Sequence, residues 1–362
     1  EGILEEIRGR ESLGELNLVE RNESKYNPGM LVVSKENEIQ GIYYVDSTGE
    51  FYDEITGKRL LKSEVIKARL EEMQQFAKHK VYKKVPIQQC YDSTGKAPIK
   101  VRWIDINKGD EENREYRSRL VAKEIKTDKR LDLFAATPPL EAKKSLFSFA
   151  VTEGIGFQSG DRRGGKKIDF VDIKRAYFQA DSIREVYVDL PEEDQSPGMC
   201  GLLGKSMYGT RDAAQNWGEA YMTFMTSIGF TKGIGSPCTF YHKSKDLICV
   251  VHGDDFTILG WSTQLDWFWK QVQIKFEAKH RGRIGPDQND EKEMRILNRI
   301  VTWTTEGIDY EGDQRHVEIC MENLGLVSES REVGSPIEKE RGGVKEKSEA
   351  AAALAKSSAE IA

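Results

Sequence analysis

No Cys-x-x-Cys pair occurs in this sequence, and its five cysteines (Cys90, Cys200, Cys238, Cys249 and Cys320) are odd in number and widely spaced. That argues against a disulfide framework and against a structural zinc site. The five histidines show no metal-ligand spacing either. Any metal must therefore be held by carboxylates, which favours Mg²⁺ or Mn²⁺. Unpaired thiols point to an intracellular, reducing compartment. No apolar run approaches the ~20 residues that span a bilayer, and no signal-peptide pattern opens the chain, so no membrane partner is expected. Internal repeats are absent. The Gly- and basic-rich loop from Gly160 to Lys167 lacks the Gly-Lys-Ser/Thr that closes a P-loop and reads as an exposed insertion.

Positive charge is also in short supply. The net charge is −6 over 362 residues, which argues against a protein that coats nucleic acid along its whole surface but leaves room for one basic cleft. The length allows two or three domains with a sizeable core. The chain opens at Glu1-Gly2 without a Met and is read as a fragment of a longer product.

Along the chain, residues 1–40 are polar with weak periodicity and read as a linker. Residues 41–62 suggest a small hairpin with turn pairs Thr48-Gly49 and Thr56-Gly57. Residues 63–80 read as a helix, with Ser63 as N-cap and Val65, Ile66, Leu70, Met73 and Phe76 at helical spacing. Ile99–Ile106 and Tyr116–Lys123 read as two strands around a charged turn. Residues 99–130 hold ten Lys/Arg against seven Asp/Glu. Such a hairpin is either a solvated face or a basic flap that grips phosphates.

A helix is expected over 138–153, with Leu146, Phe149 and Ala150 on one face. Ile168 to Ile173 then reads as a short strand with Asp172 at its carboxyl end and a helix just after it. Asp172 is either that helix's N-cap or a functional acid. Glu185–Leu190 is a strand stopped by Pro191. The stripe Ala214, Trp217, Tyr221, Phe224, Met225 and Ile228 marks a core-facing helix ended by Gly229. Cys238–His242 is a strand. Residues 263–276 form a helix followed by a basic exit of Lys275, Lys279, Arg281 and Arg283. A hairpin at 296–310 and a helix at 314–326 complete the ordered part, and the charged, Ala-rich stretch after 330 reads as a poorly ordered linker or a lone helix.

The chain is organised around His252-Gly253-Asp254-Asp255. Two β-prone runs, Leu247–Val251 and Phe256–Gly260, flank it and make it the tip of a hairpin. Gly and Asp are ordinary turn residues, so the triplet alone is weak. If the strand ending at Asp172 lies beside this hairpin, three carboxylates converge. At ~4 Å each pair repels by roughly 4 kcal/mol at an effective dielectric of 20. Two Mg²⁺ ions would relieve that repulsion and provide a two-metal arrangement for phosphoryl transfer.

Four blocks together resemble the reverse transcriptase domain of copia-type long-terminal-repeat retrotransposons. Tyr116 to Lys123 is similar to "Y-x-A-R-L-V-A-K". Val171 to Phe178 is similar to the block of the first catalytic Asp. Lys205-Ser206-Met207-Tyr208-Gly209, running on to Trp217, is similar to "K-S-L-Y-G-L-K-Q-x-P-R-x-W". His252 to Asp255 is similar to "Y-V-D-D". The resemblance covers roughly residues 60 to 330. It implies an α+β right-hand polymerase with fingers, a palm built on an antiparallel sheet, and a thumb, catalysing RNA-directed DNA synthesis. By position, it makes Asp172, Asp254 and Asp255 the catalytic and metal residues for two Mg²⁺ or Mn²⁺ ions. It puts Tyr177 under the incoming sugar, where a ring excludes a 2′-hydroxyl, and gives Gly209 a close approach to the nascent base pair or template. Arg117 or Arg119 contacts the triphosphate, and Lys205 and Arg211 are further phosphate candidates.

The implied partners are an RNA template, a DNA primer, dNTPs and the integrase and RNase H parts of a polyprotein. The implied setting is a cytoplasmic particle, with the nucleus as a second compartment. The domains read as 1–62, a linker and small N-terminal segment; 63–284, fingers and palm; 285–330, palm end and thumb-like segment; and 331–362, a linker. The sequence departs from the family at His252-Gly253 for Tyr-Val, at Asp212 for Gln and at Ala214 for Pro, changes that bear on fidelity and nucleotide preference. Neither a zinc-binding integrase pattern nor an RNase H block is present. The Gly-Asp-Asp triplet is also similar to that of RNA-dependent RNA polymerases, but Tyr177 after Asp172 fits a dNTP enzyme better. Two alternatives stay open: a decayed or repurposed copy that binds nucleic acid without catalysis, and an unrelated protein whose Asp residues are only caps and turns.

Overall fold

The computed structural model describes residues 29–35, 38–45 and 50–326, apart from 111, 126–132, 159, 298 and 313. In chain order the elements begin with β1 (Gly29–Lys35), β2 (Glu38–Val45), β3 (Phe51–Tyr52), β4 (Arg59–Leu60), α1 (Lys62–His79), β5 (Tyr82–Pro86) and α2 (Ile87–Thr94). Next come β6 (Val101–Asn107), β7 (Tyr116–Ala122), α3 (Leu140–Ala150), β8 (Lys167–Ile173), β9 (Tyr187–Val188), β10 (Met199–Leu203) and α4 (Ala213–Ser227). The remainder is β11 (Thr231–Lys232), β12 (Thr239–His242), β13 (Leu247–His252), β14 (Asp255–Gly260), α5 (Ser262–Lys275), β15 (Ala278–Ile284), β16 (Glu293–Ile296), β17 (Arg299–Trp303), β18 (Ile308–Gly312) and α6 (Gln314–Asn323). The fold is thus mixed helix and sheet. It divides into two units, residues 1–146 with 169–281, and residues 147–168 with 282–362.

In the first unit the main sheet runs β11-β12-β13-β14-β8-β15, antiparallel from β11 to β14. Alternation fixes its faces. Val171 and Ile173 of β8, Cys249 and Val251 of β13 and Phe256 and Ile258 of β14 all enter one core. Helices α4 and α5 close that core with Trp217, Tyr221, Phe224 and Met225, and with Leu265, Phe268 and Val272. Asp172, between two core residues, therefore points to the opposite face.

A second core binds the β6–β7 hairpin to the rest of this unit. Leu120 and Ala122 of β7 pack with Leu70, Met73 and Phe76 of α1 and with Phe178. Phe178 lies in a short 3₁₀ turn, Ala176–Gln179, that follows Asp172 directly. The same turn gives Ala176 to the first core and Phe178 to the second, so both cores hold the segment that carries the acid. Arg69 of α1 ties the hairpin further. It pairs with Asp105 at 2.6 Å and Glu193 at 3.2 Å, and it stacks on Phe51 and Trp103.

In the second unit, β16, β17 and β18 form an antiparallel sheet whose Ile296, Val301 and Trp303 are buried. The Gly- and basic-rich loop is stitched down, not simply exposed. Arg162 donates to the carbonyls of Thr305 and Glu306, Lys167 lies between Asp287 and Asp290, and Lys166 is buried.

Several expectations need correction. Residues 29–40 are not linker, because β1 and the start of β2 lie there. Helix α1 has Leu61 as N-cap with no side-chain cap, so Ser63 does not cap it. The buried stripe of α3 is Lys143, Leu146, Phe147 and Ala150, while Phe149 is 37% exposed. The basic exit after α5 is strand β15, and β16 precedes the expected hairpin as a third strand. Residues 1–28, Thr48-Gly49 and the linker after 330 lie outside the described residues.

Candidate active site

The Gly-Asp-Asp turn is as short as a hairpin connection can be. His252 pairs with Asp255, leaving Gly253 and Asp254 as the two central residues. Gly253 has φ +63°, and a two-residue turn with positive φ at its first position is of the kind that puts glycine there. This gives Gly253 a local cause, and nothing in the turn explains His252. The turn is held from two sides. Ile173 N–H donates to the Asp254 carbonyl at 2.9 Å, and the Trp217 indole N–H donates to the Gly253 carbonyl at 2.8 Å. The first bond brings the end of β8 to the turn. The second ties it to α4, where Trp217 is stacked edge-on against Tyr221 and Phe276. Trp217→Phe keeps most of that packing and removes the bond, so urea unfolding should show a loss of about 1–2 kcal/mol, with unchanged stability counting against the tether.

Asp172, Asp254 and Asp255 are brought within electrostatic range of one another. Burial pushes the Asp172 carboxyl up, and Asp254 pushes it further. Burial and then Asp254 do the same to Asp255. Opposing them is Arg281 of β15, whose guanidinium lies 3.5 Å from Asp255 Oδ1. Asp172 does not cap the 3₁₀ turn. That place is taken by Arg175, in the left-handed region at φ +47°, and its guanidinium pairs with buried Glu72 at 3.0 Å.

Beside the acids, the outer face of the β6–β7 hairpin forms a pocket of about 570 Å³ lined by Arg117, Arg119, Lys108, Tyr208 and Gly209 among others. Alternation explains it: Ser118, Leu120 and Ala122 turn into the core while Arg117 and Arg119 face outward. Both arginines line the same pocket. Burial lowers Arg117, and Arg119 beside it lowers it further, with Glu72 opposing. The Arg119 guanidinium lies 4.7 Å over the Tyr208 ring. Tyr177 sits 4.7 Å from Tyr208, ring to ring. Burial raises the hydroxyl of Tyr177, and Asp254 adds to it; the Tyr208 hydroxyl is pushed up to about 12, mainly by burial.

Gly209, at φ +83°, has a reason within the fold. A Cβ there would overlap the Ala122 carbonyl oxygen and lie 2.9 Å from the Ala122 nitrogen, because Tyr208 accepts the Ala122 N–H at 2.8 Å. Two predicted residues stand apart from this group. Lys205 pairs with Asp181 at 2.7 Å. Arg211 lines a neighbouring pocket with Arg184 and Lys96. The Asp212 departure is structural as well: Asp212 is buried and accepts from Arg184 at 2.9 Å.

The sequence reading passed over Arg281, Tyr208 and Lys108 as site residues. Among the described residues, no three His, Cys, Asp or Glu side chains stand in ready-made geometry for a metal ion. The donor set nevertheless fits a hard cation. It is all oxygen, and the carboxylates disfavour one another's charge.

The profile of the family described as "Reverse transcriptase (RNA-dependent DNA polymerase)" matches residues 80–286, more than half of the chain. The retrovirus-related Pol polyprotein from transposon TNT 1-94 of Nicotiana tabacum is 26% identical over 210 residues, 55% of this chain and 15% of that protein. The one from transposon RE2 of Arabidopsis thaliana is 27% identical over 172 residues, 45% of this chain and 11% of that protein. The chain thus spans less than a fifth of these relatives' length. Two foamy viral protease-reverse transcriptase structures in complex with double-stranded DNA align over 76% of this chain at 9% identity and a TM-score of 0.39, covering 40% and 50% of those chains. On its matched profile the chain belongs to the reverse transcriptase (RNA-dependent DNA polymerase) family, in its copia-type retrotransposon form.

Proposed function

We propose that the acid cluster and the arginine pocket together form the active site of an RNA-directed DNA polymerase, which extends a DNA primer with dNTPs on an RNA template. The observation that supports this best is the electrostatic continuity of the two. Arg117 opposes the upward shift of Asp172, and Arg119 and Asp254 pull in opposite directions on both Tyr177 and Tyr208. A dNTP matches that sequence of groups. Its triphosphate suits Arg117 and Arg119, its sugar suits the Tyr177 ring, which leaves no room for a 2′-hydroxyl, and its α-phosphate suits the acids.

Asp172, Asp254 and Asp255 would hold two divalent cations, Mg²⁺ or Mn²⁺. When bound, such ions neutralise charge on the attacking and leaving oxygens of an in-line displacement. The protein itself fixes the acids. The Ile173 and Trp217 bonds hold the turn, and Arg281 restrains Asp255. In a right-hand description, α1 with β6–β7 would be fingers, the six-stranded sheet with α4 and α5 would be palm, and residues 285–330 would be palm end and thumb. The relatives' names describe polyproteins, and the companion parts in this reading are integrase and RNase H.

The test is primer extension on an RNA template with Mg²⁺ and dNTPs. Extension by the wild type that is lost in Asp254→Asn supports the reading. A folded wild-type protein that binds primer-template without extending it supports a decayed, nucleic-acid-binding copy instead.

A further inference from the structure

Helix α1 buries a carboxylate against the turn that follows Asp172. Glu72 is 3% exposed and stands in one row of the helix with Ala68 and Phe76, a place where packing alone would select an aliphatic residue. Its Oε1 has no hydrogen-bond partner among the described residues. Its Oε2 accepts from the Arg175 Nε–H at 3.0 Å. Burial pushes the Glu72 carboxyl up, and Arg175 is the foremost charge opposing that. Arg175 is the odd choice in its turn. It opens the 3₁₀ turn at φ +47°, in a region that glycine enters freely and a residue with a Cβ enters at a cost. An arginine persists there when its side chain holds something, and what it holds is Glu72. A buried carboxylate and a strained backbone, each unfavourable alone, thus meet in one ion pair.

The rest of the turn is fixed as well. Gln179, at its end, donates to the Lys174 and Glu277 carbonyls and accepts from the Glu277 N–H. Phe178 packs edge-on against Phe76 of α1, with ring centroids 4.8 Å apart, and against Tyr208 at 5.6 Å. Between Arg175 and Phe178 stands Tyr177, whose ring meets Tyr208 at 4.7 Å. We infer that Glu72 and Arg175 are positioning residues of the nucleotide site: their ion pair keeps the turn in its left-handed opening, fixes the Tyr177 ring and so sets how strongly ribonucleotides are rejected. This rests on the reading of Tyr177 as the residue under the sugar. Without the pair, the backbone at position 175 is free to relax to a right-handed conformation, and Tyr177, two residues on, tilts with it. A tilted ring leaves room for a 2′-hydroxyl.

The test is single-nucleotide incorporation by the 362-residue protein on a DNA-primed RNA template, read as the ratio of kcat/KM for dATP to that for ATP. A general disturbance of Asp172 slows both nucleotides alike and leaves the ratio unchanged, whereas a moved Tyr177 ring changes the ratio. Arg175→Gly removes the guanidinium and accepts the left-handed backbone without strain, so it should fold. Glu72→Gln removes the charge at nearly the same volume. Each should lower the ratio roughly tenfold, the order expected for a small displacement of a contacting group. Arg175→Lys, whose ammonium reaches one atom beyond Nε, should stay within about threefold of wild type. Adding Arg175→Gly to Tyr177→Ala should lower the ratio no further, because the effect passes through that ring. A wild-type ratio in folded Arg175→Gly and Glu72→Gln overturns the positioning role. So does failure of Arg175→Gly to fold, which would give the pair to the fold alone. Failure of the underlying reading looks different: no dATP incorporation by the wild type, or a wild-type ratio in Tyr177→Ala, overturns the Tyr177 assignment and the inference with it.

Discussion

Asp172→Asn should cut RNA-templated dNTP incorporation by about a thousandfold or more, while thermal unfolding at pH 7 stays at the wild-type midpoint or moves above it. The two halves have one origin. The Asp172 carboxyl is pushed up by burial and by Asp254, so its charged form is disfavoured in the folded protein. A carboxylate whose folded pKa is raised destabilises the fold at any pH above its ordinary range, and the penalty disappears below that range. Asparagine keeps the shape and removes the charge, so the repulsion with Asp254 ends. The chemistry loses a ligand while the fold loses a strain. A single-turnover extension assay paired with a melting curve reads both. A midpoint several degrees below wild type would mean that the residue serves the fold first, and the assignment would then fall.

Gly209→Val should be the most damaging single change to the hairpin that carries Arg117 and Arg119. A non-glycine residue at φ +83° carries about 1–2 kcal/mol of backbone strain. The new Cβ would also overlap the Ala122 carbonyl, and that obstacle is backbone, which cannot swing aside as a side chain can. Either the Ala122 N–H loses its bond to Tyr208 or the hairpin lifts from α1, where Leu120 and Ala122 are buried. The combined loss should be about 3 kcal/mol or more in urea unfolding, with a matching loss of dNTP affinity as both arginines move. Wild-type stability in the variant would show that the close approach is not a constraint in solution.

Local chemistry made much of this legible. The Gly-Asp-Asp hairpin follows from a glycine between two β-branched runs. The helices at 62–79, 213–227 and 262–275 follow from apolar spacing. Asp172 was visible as the end of a strand, but its approach to the hairpin depends on β8 lying beside β14, a long-range pairing that no window of sequence contains. The misreadings share that cause. Strand β15 looked like a basic exit because its charges are matched far away: His280 meets Asp169 at 3.0 Å, and Arg281 meets Asp255. Lys205 and Arg211 came as phosphate candidates from the resemblance, and the structure pairs Lys205 with Asp181. Lys143 was overlooked on the buried stripe of α3 because a lysine in a helix is ordinarily at the surface.

The two-residue turn at Gly253-Asp254 also limits what kinds of mutational lesion the gene could survive. One extra codon, in frame, between Val251 and Phe256 would leave every carboxylate in the reading frame. A slip of β14 by one position would exchange Phe256 and Ile258, which pack in the core with α4 and α5, with Thr257 and Leu259, which are buried on the other face. Small in-frame insertions here should therefore silence a copy as surely as loss of an aspartate, although the motif would still read as intact.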